Sequence, residues 1–101
     1  MDYLKQYNIN ENQIEDLKKL FIKTETINNF RYNVEEIKEI LDIFQKLGVK
    51  NMYQIIKTNP YLFSDTVDSI KERIDEYPNK KALSFLLNMD AENLKLINML
   101  Y

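Results

Sequence analysis

Between Ile43 and Ser64 the chain carries three lysines, Lys46, Lys50 and Lys57, and no acidic residue. Ammonium groups near helix ends can contact phosphates, and the exposed amides of a helix start near Lys50–Met52 would add to the attraction. If Lys80, Lys81 and Lys95 fall into register with them, the set forms a basic stripe suited to nucleic acid. The competing reading is that lysines at helix C-termini answer the helix dipole and keep the surface solvated. A second group is Phe30-Arg31-Tyr32, between helices, where an arginine flanked by aromatics could stack on a base or anchor a protein partner. Such aromatics also commonly pack a loop onto the core.

Carboxylates gather elsewhere. Glu35, Glu36, Glu39 and Asp42 share one segment, and Asp65, Asp68, Glu72, Asp75 and Glu76 share another. Paired carboxylates can hold a metal or run acid–base chemistry. Here they fall at helix starts and solvent faces, where they complement the N-terminal dipole. The chain has no cysteine and no histidine. Ser-His-Asp chemistry, a histidine base, a thiol nucleophile and thiolate zinc sites therefore cannot be built. With no phosphate loop and no metal-ligand spacing, the chain is read as non-enzymatic, with no catalytic residue, metal or cofactor.

The elements that must position these residues are helical. The 101 residues suit a single domain, 1–101, and 45% hydrophobic with 30% charged residues argues against disorder. One glycine and two prolines are too few for the turns of a sheet protein. Net charge is −2, so no global field recruits nucleic acid or acidic lipid. No apolar run reaches the ~20 residues of a membrane span, and the N-terminus does not read as a signal peptide. The expected setting is cytoplasmic, with no membrane partner. The abundance of Asn, Ile and Lys suggests an AT-rich genome, a bacterium or its phage.

Six or seven short helices are predicted. The first opens at Asn10 or Glu11, carries Ile14, Leu17, Leu20, Phe21 and Ile22 on its inward face, and ends around Thr24–Asn29. Asn33 to Glu36 resembles a capping box, and Val34, Ile37, Ile40, Leu41, Phe44 and Leu47 trace the next stripe, closed by Gly48. A short helix from about Asn51 to Thr58 buries Met52, Ile55 and Ile56 before Asn59-Pro60 stops it. Pro60 to Phe63 makes one tight turn, and Ser64 or Asp65 caps a helix with Val67, Ile70, Ile74 and Tyr77 inward. Asn79–Leu87 buries Leu83, Leu86 and Leu87, and Asp90 caps a last helix carrying Leu94, Ile97 and Leu100. An apolar end containing Met99 and Tyr101 either packs back on the preceding unit or meets another subunit, so self-association through the C-terminal helix is one of two readings.

A degenerate repeat of period forty links Tyr7-Asn8-Ile9, Leu47-Gly48-Val49 and Leu87-Asn88-Met89, each an apolar residue, Asn or Gly, then an apolar residue. The central unit runs from Ile40 through Leu47-Gly48-Val49 and Ile55-Ile56-Lys57-Thr58-Asn59-Pro60-Tyr61-Leu62 into the segment Val67 to Tyr77. It resembles the repeat of the mitochondrial transcription termination factor family, mainly over residues 37–77. That resemblance implies units of two α-helices and a short third helix, stacked as a short right-handed solenoid, one repeat full and two partial. It also implies binding of double-stranded or structured nucleic acid on a basic concave face. This chain is shorter than that family's proteins, is mildly acidic and has only two arginines, Arg31 and Arg73.

Two binding readings emerge. The first is a small nucleic-acid-binding regulator using Lys46, Lys50, Lys57, Lys80 and Lys81. The second is a protein-interaction domain, an adaptor or a small regulator or inhibitor from a bacterium or mobile element, using Phe30, Arg31, Tyr32, Met99 and Tyr101. The first is preferred here. What separates the two is whether the five lysines share one concave face.

Overall fold

Asn10 turns the chain into its first α-helix through a reciprocal capping box. Its side chain accepts from the Gln13 amide, and the Gln13 side chain accepts from the Asn10 amide. The computed structural model describes residues 1–99, which hold six α-helices, three 3-10 segments and no strand. The α-helices are α1 (Glu11–Phe21), α2 (Thr26–Tyr32), α3 (Val34–Leu47), α4 (Met52–Thr58), α5 (Val67–Glu76) and α6 (Lys80–Met89). The 3-10 segments are Asp2–Tyr7, Pro60–Ser64 and Ala91–Ile97. The protein is all-α, and no helix among the described residues is long and apolar enough to cross a membrane.

Where the apolar period is 3.6 and a terminal signal is present, elements lie where the sequence puts them. α3 buries Ile37, Ile40, Leu41 and Phe44. Gly48 ends it at φ +108°, with the Gly48 amide donating to Gln45 O and the Val49 amide to Phe44 O, a Schellman closure. α4 buries Met52, Ile55 and Ile56, and Pro60 opens the 3-10 turn that buries Leu62 and Phe63. The third member of that turn, Tyr61, is exposed.

Elsewhere the structure corrects the reading. The capping box expected at Asn33 does not form. Asn33 ends α2 as well as starting α3, at φ −104° and ψ 44°, so it lacks the extended geometry of an N-cap. Its side-chain amide donates to Asn29 Oδ1 at 2.9 Å instead. α1 stops at Phe21, Leu20 and Ile22 are exposed, and α2 occupies the segment that the sequence predicts to be a helix end. Thr66, not Ser64 or Asp65, caps α5 by accepting from the Ser69 amide. Leu86 is only half-buried.

The element order α–α–3-10 occurs twice in succession, over Val34–Ser64 and Val67–Ile97, about 33 residues apart. The period-forty alignment holds for Asn8 and Gly48, both left-handed, but Asn88 lies inside α6. The next left-handed residue is Asn98, where the Met99 amide donates to Leu94 O as Val49 does to Phe44 O. The two units are joined by side chains gripping backbone. Asn88 accepts from the Lys50 amide at 2.7 Å and donates to Gly48 O at 3.0 Å, while Asn51 donates to Leu87 O at 2.9 Å.

Two tyrosines pin the N-terminal 3-10 segment. Tyr3 donates to Phe30 O at 2.6 Å, and the buried Tyr7 donates to Asp42 Oδ1 at 2.8 Å. Burial, then the hydrogen bond to Asp42 and its negative charge, push the Tyr7 phenol up to about 12. An acid whose folded pKa is raised contributes stability in full below its unfolded value, near 10, and loses it above. Tyr7→Phe is therefore expected to cost about 1 kcal/mol at neutral pH. That gap should close as pH climbs from about 10 towards 12. Urea unfolding of both proteins across that range measures it, and a constant gap would contradict the assignment.

A candidate binding groove

One face of α3 and one face of α5 stand side by side. On α3, Glu39, Asp42, Ile43, Lys46 and Leu47 follow helical spacing along the shoulder of the core stripe. On α5, Val67, Lys71, Ile74 and Asp75 do the same. With Lys80 and Lys81 at the start of α6 they enclose an open groove of about 740 Å³. Its floor is apolar, made by Ile43, Leu47, Val67 and Ile74. Its rim carries four lysines and three carboxylates.

The charges are not evenly spread. Gly48 packs against Ser84 of α6, so the C-terminal end of α3 meets the first half of α6. Lys46 therefore gathers with Lys80 and Lys81 at one end, where Asp75 also lies beside Lys80, while Asp42 and Glu39 lie one and two turns back along α3. Asp42 is held by the Tyr7 hydroxyl. Lys80 reaches the last carbonyls of α5, donating to Asp75 O at 3.1 Å and Tyr77 O at 2.8 Å. That is the dipole-answering role open to any lysine beyond a helix end.

The five lysines singled out from sequence thus divide. Lys46, Lys80 and Lys81 line the groove, joined by Lys71, which the sequence reading did not select because acids surround it. Lys50 lines a separate small cavity with Tyr7, Asn8 and Gln45. Lys57 turns to α1. Its ammonium lies 3.4 Å from the Tyr53 hydroxyl and 3.8 Å from Asp16 Oδ2, and the Tyr53 hydroxyl itself bonds Asp16. The hydrogen bond with Tyr53, followed by the charges of Tyr53 and Asp16, raises the Lys57 pKa.

The aromatic and C-terminal candidates also separate. Phe30 is fully buried, stacked on Phe21 at 5.9 Å and tilted against Phe63 at 5.3 Å, so it is not presented to a partner. Arg31 and Tyr32 are exposed, Tyr32 at 77%. Met99 is buried and its carbonyl accepts from the buried Asn59 side chain, so the C-terminal segment packs back through Leu94, Ile97 and Met99. Leu100 and Tyr101 lie outside the described residues. No group of three or more carboxylates converges as a metal-ligand set among the described residues. No family model matches the chain, and neither a curated protein nor a solved structure matches it.

Proposed function

We propose that the protein is a binding module whose groove between α3 and α5 holds a segment of a protein partner. The observation that carries this is the groove's composition, an apolar floor inside a rim of both charges. A partner segment suited to it presents two or three apolar side chains to Ile43, Leu47, Val67 and Ile74. It places carboxylates at the Lys46–Lys81 end and a basic group at the Glu39–Asp42 end. Burying that floor supplies the driving force, and the polarised rim sets direction and register.

Nucleic acid is the second reading, and the gathering of Lys46, Lys71, Lys80 and Lys81 on one groove supports it. Three carboxylates among them would repel a phosphate backbone, and Lys50 and Lys57 face elsewhere. The α–α–3-10 order of Val34–Ser64 and Val67–Ile97 supports, within the same proposal, units like those of the mitochondrial transcription termination factor repeat. A fold of that kind does not by itself fix the ligand.

Selection of displayed random peptides on the immobilised protein tests the first reading, with labelled duplex DNA and structured RNA measured by anisotropy beside it. Enriched peptides that combine apolar residues with acidic residues at one end and a basic residue at the other are expected. Their binding should fall at least about tenfold, ~1.4 kcal/mol, in Val67→Glu and in Lys46→Glu/Lys71→Glu, and stay unchanged in Lys57→Glu. No enriched peptide, together with DNA or RNA binding that weakens steeply with salt, would replace this reading by the second.

A further inference from the structure

We infer that α6 is also a self-association surface, pairing antiparallel with the α6 of a second copy. Leu83 and Leu87 face the core, fully buried, yet the opposite side of the same helix carries Phe85 at 66% and Met89 at 67% exposure. They are one turn apart, with the half-buried Ala82 and Leu86 beside them, so the helix has a second apolar stripe. Single exposed apolar residues are ordinary, whereas a contiguous apolar stripe marks a contact surface.

The charges identify the occupant. Lys80 and Lys81 open α6, no acid lies in its first turn and no base in its last, and Asp90 and Glu92 follow its end. This is the reverse of what the helix dipole favours. An antiparallel copy related by a twofold axis near Leu87 inverts that cost. It places the Lys81 of each chain beside the Asp90–Glu92 end of the other, and it sets the two dipoles head to tail. The segment itself, with Lys80–Lys81 at one end and Asp90–Glu92 at the other, is its own complement in this arrangement. One helix per chain is a small interface, so the pairing is weak and depends on concentration. Phe85 and Met89 do not line the groove, so their variants test this surface apart from the proposed function, whereas Lys81 belongs to both.

Sedimentation velocity of the full chain from micromolar to millimolar concentration is the test. The weight-average mass is expected to climb from monomer towards dimer. Phe85→Glu and Met89→Glu should each raise the dissociation constant at least about tenfold, with the helical circular dichroism kept because both side chains are exposed. Lys81→Glu and Glu92→Lys should each weaken pairing, and their combination should restore it. A chain that stays monomeric throughout, or whose association ignores Phe85→Glu, overturns the inference. Loss in the apolar variants without restoration in the charge swap overturns the antiparallel pairing with a second copy.

Discussion

Gly48→Ala is expected to lower stability by about 2–4 kcal/mol, a large share of the 5–15 kcal/mol typical of a domain. Two separate causes converge on one atom. Gly48 sits at φ +108°, where a side chain is strained whatever space surrounds it. A Cβ there would also stand only 2.7 Å from Ser84 Oγ, and Ser84 belongs to α6, the helix that grips the same loop through Asn88. Relief of that clash takes either a turn of the Ser84 hydroxyl out of its place or a small shift of α6, the helix whose Asn88 holds the Gly48 carbonyl and the Lys50 amide. The two causes can be divided with Ser84→Ala. In that background the steric part disappears and the backbone part remains, so the double variant should recover about half of the loss, a coupling typical of residues in contact. Urea unfolding measures it as a lower midpoint at unchanged slope. A loss under about 0.5 kcal/mol, the range of ordinary surface substitutions, would show that the α3–α6 contact is not as close as described.

The same junction shows what sequence could and could not reveal. Gly48, Asn59-Pro60 and Asp90 were legible because each marks a helix end by backbone chemistry alone. The stripe of α3 was legible because fourteen residues hold a steady period. Ser84 was not, since a polar side chain in a helix reads as solvent-facing, and Asn88 stood out only as a turn residue aligned with Gly48, whereas it lies inside α6 and grips the Gly48 loop. α2 was hidden for a different reason. Thr24, Thr26, Asn28 and Asn29 are poor helix formers, and only Ile27 and Phe30 signal an inward face. Tertiary packing of Phe30 on Phe21 and Phe63 decides the matter. Lys46, Lys80 and Lys81 line one groove, and helix ends locate all three in the sequence. Lys50 and Lys57 lie away from that groove, because α4 follows a turn whose direction no local signal encodes.

Phe30→Ala is the larger of the two stability effects, about 3–5 kcal/mol, in line with truncation of a fully buried aromatic. Its ring bridges Phe21 at the end of α1 and Phe63 in the 3-10 turn, so its loss opens a cavity where three elements meet. Its carbonyl also receives the Tyr3 hydroxyl, so disturbance of α2 reaches the N-terminal 3-10 segment. Tyr32→Ala, two residues on, should change stability by no more than about 0.5 kcal/mol, because that side chain is exposed. The contrast separates two roles that the sequence Phe30-Arg31-Tyr32 leaves merged. If a partner uses this corner, Arg31→Ala and Tyr32→Ala weaken binding while the unfolding midpoint holds. Phe30→Ala weakens binding only in proportion to the fraction unfolded, and Phe30→Leu, which keeps most of the buried volume, restores both together. Equal midpoints for Phe30→Ala and Tyr32→Ala would mean that the ring is not in the core, and the aromatic bridge joining α1, α2 and the Pro60–Ser64 turn would have to be withdrawn.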